Sequence, residues 1–408
     1  MEEDTQIINK GYDHKLSEGS IVTPLFRSST FCFNSAEEGE RSFQIAYKLD
    51  EPNIGEIPVL IYSRVNNPNM EIVEDRLAVF DKSEKSLLFS SGMGAISNTC
   101  MSLLKPGDSV LYSNPVYGGS EFLFKTLLPQ YNIKCIPFNA GNDCESILDL
   151  LGDNSKSLNI KMIFVETPCN PLITLTSIKE MVKLKNTLSN INNNDIILAV
   201  DNTFCGPIYL KPIELGADLV LYSITKFIGG HSDLIAGSVS GSNLLIDRIR
   251  VTRTIFGTIP DPDTCWLIQR SLVTLKLRMV KQCSNAKKVV DFLKSHPKVK
   301  KIYYPGLGND KENKIFLDEY LDSGSIISFE INGNKEDAFK LLNKVKVFKL
   351  AVSLGSIESL IQHPSSMTHS DIPKNEQIEM GINENLLRCS IGLEDVKDLV
   401  DDLKQSFE

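Results

Sequence analysis

The sequence predicts an α/β protein, with a large domain on a mostly parallel sheet and a smaller C-terminal α/β domain behind it. Two observations carry that expectation. Between about residues 85 and 240, short β-branched runs alternate with longer stretches of helical length, and no turn-linked hairpin pattern occurs among them. Past about residue 265 a helical stretch, Trp266–Leu293, opens a second succession, with strand candidates at Ile326–Ile331 and Lys346–Leu350 and a helix near the C-terminus. The expected division is 1–65 for an N-terminal arm, 66–265 for the large domain and 266–408 for the small one.

The first 65 residues show little periodicity and carry the turn formers Asn53, Gly55 and Pro58, so they read as an arm with an inserted loop around Ala46–Pro58. Strands are expected at Ser86–Phe89, Ser109–Tyr112, Ile133–Pro137, Met162–Glu166, Ile196–Asp201 and Leu219–Ser223. Several are continuously apolar, as strands are when helices cover both faces. Each ends in a polar or glycine-bearing segment, and in open α/β sheets ligands sit beyond those carboxyl ends. Asn186–Asp195 reads as a solvated helix end and loop, Gly306-Leu307-Gly308 as a turn, and Trp266 as a core residue.

Composition narrows the function classes. Among 408 residues, 42% are hydrophobic and 23% charged, and no apolar run reaches the length of about 18 residues that a membrane helix needs. The 43 basic and 52 acidic residues leave a net charge of −9, so no global field favours nucleic acid. Met1–Lys10 lacks the basic and apolar regions of a secretory signal, and the cytoplasm is the expected compartment. The nine cysteines stand singly with no C-x-x-C pair, which fits free thiols better than a disulfide framework or a cysteine-ligated metal.

The sharpest cluster is Ser223-Ile224-Thr225-Lys226 at the end of an apolar strand, followed by Gly229-Gly230-His231. A lysine near a protein interior loses its proton readily and can form a Schiff base with a carbonyl compound. The earlier strand end Val200-Asp201-Asn202-Thr203 supplies an aspartate. Beside such a lysine, a carboxylate can hold a pyridine nitrogen protonated, so the pair points to pyridoxal phosphate. Phe89-Ser90-Ser91-Gly92-Met93-Gly94 lies at a strand-to-helix junction suited to an anion, and Tyr117-Gly118-Gly119 offers an aromatic face at another strand end. No Gly-x-Gly-x-x-Gly turn for a nicotinamide dinucleotide is present. His363, His369 and Asp371 lack a recognised metal-ligand spacing, so no metal is expected, and His231 with Asp233 reads as a strand-end hydrogen-bonded pair.

Together these motifs resemble the pyridoxal-phosphate enzymes of cysteine and methionine metabolism, from about Gly19 to the C-terminus. The likeness rests on Tyr62-Ser63-Arg64, Ser91-Gly92-Met93, Tyr117-Gly118-Gly119, Glu166-Thr167-Pro168-Cys169-Asn170-Pro171, Val200-Asp201-Asn202-Thr203, Ser223-Ile224-Thr225-Lys226, Ser353-Leu354-Gly355 and Arg388-Cys389-Ser390-Ile391-Gly392, in that order. The resemblance implies the fold-type I PLP-dependent transferase fold. It implies that Lys226 bonds the cofactor, that Asp201 pairs with its ring nitrogen and that Tyr117 stacks on the ring and acts in catalysis. Ser91, Gly92, Met93, Ser223 and Thr225 are implied to hold the phosphate. Arg388, with Ser353 and Asn170, is implied to grip the substrate carboxylate, and Asn170 is also implied at the cofactor. Tyr62 and Arg64 are implied to reach a neighbouring subunit's phosphate, making the active unit at least a dimer and usually a tetramer.

Within that family, enzymes acting on cystathionine tend to have glutamate immediately before the Ser-Leu-Gly motif, where this chain has Val352. An apolar Val352 fits a small thioether, and Gln362–His369 is similar to the methionine lyases. A cysteine usual in methionine γ-lyases is replaced by Gly119. The expectation is γ-elimination on a sulfur amino acid, methionine first, with cystathionine γ-lyase activity or γ-replacement of the cystathionine γ-synthase or O-acylhomoserine sulfhydrylase type as alternatives.

Overall fold

The computed structural model describes residues 1–46, 49–53, 56 and 59–408. Much of the expected inserted loop, at 47–48, 54–55 and 57–58, lies outside the described residues. The large sheet has seven strands: β1 (Lys85–Phe89), β2 (Ser109–Asn114), β3 (Lys134–Asn139), β4 (Ile160–Glu166), β5 (Ile197–Asp201), β6 (Leu219–Ser223) and β7 (Gly237–Gly241), in the order β1-β7-β6-β5-β4-β2-β3. β7 runs antiparallel to both its neighbours, β1 and β6, and the other pairings of this sheet are parallel.

The continuous apolar runs are explained by two cores. Alternate strand residues point to opposite faces: Ile163, Val165, Leu198, Val200, Val220 and Tyr222 enter one apolar cluster, while Met162, Phe164, Ala199, Leu219 and Leu221 enter another. Because β1, β2, β4, β5 and β6 are parallel, their carboxyl ends share one edge of the sheet.

The strand β7 is absent from the sequence expectation. Its residues Gly-Ser-Val-Ser-Gly have low strand propensity, and the slot between β1 and β6 makes the strand. Glycine is required at its start, since a Cβ at Gly237 would lie 2.2 Å from the Ser91 carbonyl oxygen.

The second sheet orders its strands β10 (Lys349–Leu350), β11 (Leu360–Gln362), β12 (Leu386–Ser390), β9 (Ile326–Ile331) and β8 (Val299–Tyr303). The lysine-bearing β8, whose Val-Lys-Lys-Ile-Tyr does not alternate, the three-residue β11, and β12 are absent from the sequence expectation. The helical stretch Trp266–Leu293 is two helices, Pro262–Leu272 and Leu275–Ser295. Asp261 caps the first, and the break frees the Ser271 carbonyl, which accepts from Arg278 at 3.1 Å. Along the second helix, Leu275, Met279 and Cys283 belong to the large-sheet core and Ala286 to Leu293 to the small-sheet core. The two cores therefore change over within this helix.

Two smaller expectations are corrected. Trp266 is half-buried, with its indole N–H donating to the Thr23 carbonyl at 3.1 Å, and is not core. His231 donates from Nδ1 to the Gly229 carbonyl at 2.7 Å instead of pairing with Asp233. Among the described residues of 1–65 lie the helices Glu3–Asn9 and Ala36–Ala46. The Asn-rich stretch does end a helix, Ile178–Asn192, with Asn193 in the left-handed conformation. Among the described residues no helix is long and apolar enough to cross a membrane.

Candidate active site

A cavity of about 250 Å³ opens where the strand ends of the large sheet meet the small sheet. Its lining brings together Ser91, Gly92, Met93, Tyr117, Asn170, Asp201, Ser223, Thr225, Lys226, Ser353 and Arg388. Val352, Tyr62 and Arg64 are not in that lining. Val352 precedes the lining Ser353 and is half exposed; Tyr62 is exposed, and Arg64 donates to the Thr254 carbonyl at 2.6 Å and lies over the Tyr62 ring.

On the strand-end side, the helix Gly92–Leu103 starts directly after β1, capped by Ser91, whose Oγ accepts from Gly94 N at 2.9 Å. Its first N–H groups have no helical partner and attract anions. The approach to β6 is close: a Cβ at Gly92 would lie 2.9 Å from Ser223 Cβ. Asp201, at the end of β5, accepts from Thr203 N at 3.0 Å and Thr203 Oγ1 at 2.6 Å, while that hydroxyl accepts from Ser223 N at 2.9 Å. These bonds fix Asp201 against Ser223.

Lys226 Nζ donates to Ser353 Oγ at 2.8 Å, and burial, aided by the charge of Arg388, pushes its pKa down to about 8. Ser353 holds a φ of 90°, unusual for a residue with a Cβ. In that conformation its hydroxyl meets Lys226 while its carbonyl accepts from Arg388 Nη2 at 2.8 Å. Local strain here serves to join two charged side chains.

Glu166 and Thr203 line the cavity and were not singled out from the sequence. Glu166 stands opposite Asp201 in the β4/β5 register and is buried. Its two oxygens accept from Tyr117 N at 2.7 Å and Asn170 N at 3.0 Å, and burial together with Asp201 pushes its pKa up to about 8. Burial raises Asp201 as well, against the two Thr203 hydrogen bonds. The available signal for Glu166 was a second carboxylate at a neighbouring strand end. For Thr203 it was the hydroxyl two residues beyond an aspartate, a frequent turn partner. Glycine at 119 suits Tyr117, because a Cβ there would lie 2.8 Å from its ring and 3.0 Å from Met93 Sδ.

Among the described residues no group of three or more His, Cys, Asp or Glu is placed to hold a metal ion. His363 is bonded to Ser366 Oγ and the Glu384 carbonyl, both at 2.7 Å.

An anion cradle, a buried carboxylate, an aromatic face and a lysine of lowered pKa in one cavity match the donor set that a pyridoxal phosphate requires. The family model for Cys/Met metabolism PLP-dependent enzymes matches residues 4–408. The chain belongs to that family. Its fold is accordingly that of the PLP-dependent enzymes, and its cofactor is pyridoxal 5′-phosphate. It is similar to the L-methionine gamma-lyase of Fusobacterium nucleatum subsp. polymorphum, at 39% identity over 392 residues, covering 96% of this chain and 94% of that one. The cystathionine gamma-lyase of Sus scrofa is 35% identical over 406 residues, covering 99% and 93%. The crystal structure of cystathionine gamma synthase from Xanthomonas oryzae pv. oryzae superposes with a TM-score of 0.88 at 30% identity, covering 100% of this chain and 98% of that chain.

Proposed function

We propose that this enzyme cleaves methionine by γ-elimination to methanethiol, ammonia and 2-oxobutyrate. The observation that carries the reading is the cavity lining. Its ionisable acids and bases are Glu166, Asp201, Lys226 and Arg388, and beside neutral serine, threonine, asparagine and tyrosine side chains it presents apolar surface from Met93, Ile96, Phe204, Ile235 and Leu354. With Asp201 and Lys226 given to the cofactor, Arg388 to the substrate α-carboxylate, and Glu166 held by the N–H groups of Tyr117 and Asn170, none remains in this chain's lining for a second, distal carboxylate or ammonium. A thioether needs no such partner. The similarity to methionine gamma-lyases supports the same choice.

When bound, pyridoxal phosphate supplies an electron sink for the pair left at the substrate α-carbon. Ser91, Gly92 and Met93, with the Ser223 and Thr225 hydroxyls, would hold the phosphate. Asp201 would face the ring nitrogen, with Tyr117 and Asn170 at the ring. Arg388, Ser353 and Asn170 would orient the α-carboxylate. Lys226 would hold the cofactor and serve as the base that takes the Cα proton and moves protons at Cβ; a pKa of about 8 lets it hold and release a proton near neutrality. Tyr117 protonates the departing sulfur.

Tyr62 and Arg64, outside this chain's cavity and on its surface, are assigned to the neighbouring site of a dimer, within a tetramer. Mixing Arg64→Ala and Lys226→Ala chains tests this by restoring one complete site per hybrid.

A second reading, γ-replacement on an acylhomoserine, is favoured by the close superposition on the cystathionine gamma synthase. Product analysis with methionine, cystathionine and O-acylhomoserine plus cysteine, side by side, separates the two. Methanethiol and 2-oxobutyrate from methionine are expected. Inertness toward methionine with rapid cystathionine formation would replace the lyase by the synthase.

A further inference from the structure

Arg388 is a buried cation whose hydrogen-bond partners are all neutral. Nη1 donates to Asn170 Oδ1 at 2.6 Å and Nη2 to the Ser353 carbonyl at 2.8 Å. With the Gln362 amide turned so that its oxygen faces the guanidinium, that oxygen accepts from Nη2 at 2.9 Å, Nε at 3.1 Å and Nη1 at 3.2 Å. The opposite orientation would set amide N–H groups against guanidinium donors, so complementarity decides it. Gln362 and Arg388 are direct cross-strand partners on β11 and β12, and both are almost fully buried.

The surroundings add no counter-charge in direct contact with the fork. His369, equally buried, is pushed down to about 4 by burial and by Arg388, so its imidazole is neutral near pH 7. Glu166 is the carboxylate whose field reaches Arg388, and its oxygens are held by the N–H groups of Tyr117 and Asn170. Among the described residues no carboxylate hydrogen-bonds to the guanidinium. Buried charges are ordinarily paired, because an unpaired one is costly. Here the fork is fully oriented, yet its hydrogen-bond partners are all neutral.

We propose that Gln362 is a positioning residue that makes the site select α-amino acids over the corresponding amines. It holds the Arg388 guanidinium by a neutral oxygen, which fixes the fork without neutralising it, so the full charge is available to an incoming α-carboxylate. This rests on the reading of Arg388 as the seat of that carboxylate. A glutamate at 362 has the same shape and would supply a resident counter-charge to the same three N–H groups.

The test uses the holoenzyme and two probes: L-norleucine, which has no sulfur to eliminate, and n-pentylamine, which is norleucine without its carboxylate. Binding is read from the cofactor's visible absorbance, with cofactor content and melting temperature as checks of folding. Gln362→Glu should weaken norleucine by at least about tenfold, since a charge-assisted pair is replaced by competition with a resident one, and leave pentylamine unchanged. The KM for methionine should rise while kcat stays within a few-fold. Gln362→Met, which removes the acceptor without adding charge, should shift norleucine in the same direction by a smaller factor, and it decides the matter if the glutamate variant does not fold. Unchanged norleucine binding, or an equal loss of both probes, would overturn the proposal. Arg388→Gln separates this from the underlying reading. If it brings norleucine down to the level of pentylamine while Gln362→Glu does nothing, only the role of Gln362 fails. If Arg388→Gln leaves norleucine unaffected, the carboxylate sits elsewhere and both fail.

Discussion

The strand-end wall of the cavity and its C-terminal wall differ in how far their contacts reach and in how their charges are met. On the first, Ser91, Asp201, Ser223 and Lys226 follow strands of one sheet, and Asp201 is tied to Ser223 through Thr203. The sheet alone places them. On the second, Arg388 and Ser353 reach their partners Asn170 and Lys226 across the junction of the two sheets. That junction is pinned separately, by the hydroxyls of Thr167 and Tyr320 at 2.7 Å and by Ser328 Oγ donating to the Pro171 carbonyl at 2.5 Å. The groups proposed to face the cofactor are thus local to one sheet, and those proposed to face the substrate depend on docking. Changes to the first wall should remove chemistry; changes to the second should alter which substrate is taken.

The largest effect is expected at Asp201. Asp201→Ala should lower turnover on the order of a hundredfold or more, the scale of losing one electrostatic contributor in a closed site. Cofactor affinity, followed by absorbance, should fall with it. Near-normal turnover would break the distinction between the walls at its strongest point.

Behind the strand-end wall, Arg253 is fully buried, pairs with Glu74 and donates to the Leu88 carbonyl at 2.9 Å, one residue before the end of β1. Arg253→Met should destabilise the fold by about 3–5 kcal/mol in denaturant titration, because Glu74 is left as an uncompensated buried charge. A loss below about 1 kcal/mol, the scale of an exposed pair, would show that this wall is not braced from behind.

Next to the C-terminal wall, one residue before the lining Ser353, Val352→Glu should shift preference from methionine toward cystathionine by about 1–3 kcal/mol in relative kcat/KM, the usual range for a modest change in pocket contacts. Val352 precedes Ser353 and is half exposed, so the cofactor spectrum should not change.

The smallest effect is one of rate and sharpens the account of Lys226. Its folded pKa lies below the ordinary lysine value, so the neutral amine gains population as pH rises through about 8. Cofactor uptake by the apoenzyme should accelerate between pH 6 and 9 with a midpoint near 8. A midpoint above 10 would mean an unperturbed lysine.

The same contrast explains what could be read from the sequence. Lys226 and Asp201 announce themselves because each follows an apolar strand and its chemistry lies within a few residues. The helix-start Ser91-Gly92-Met93 is legible for the same reason. The role of Glu166 emerges only when β4 and β5 are in register, and that of Gln362 only when β11 pairs with β12, neither of which leaves a local pattern. The strand β7 is hidden because Gly-Ser-Val-Ser-Gly has strand geometry imposed by its neighbours. Val352, Tyr62 and Arg64 entered through family resemblance, and this chain's own cavity contains none of them.

The most direct measurement is borohydride reduction of the purified, yellow holoenzyme followed by peptide mapping. The cofactor should be fixed covalently to Lys226 Nζ, with the visible absorbance bleached and one modified lysine per chain. Modification of a different lysine, or none, would contradict the assignment of this cavity as the cofactor site.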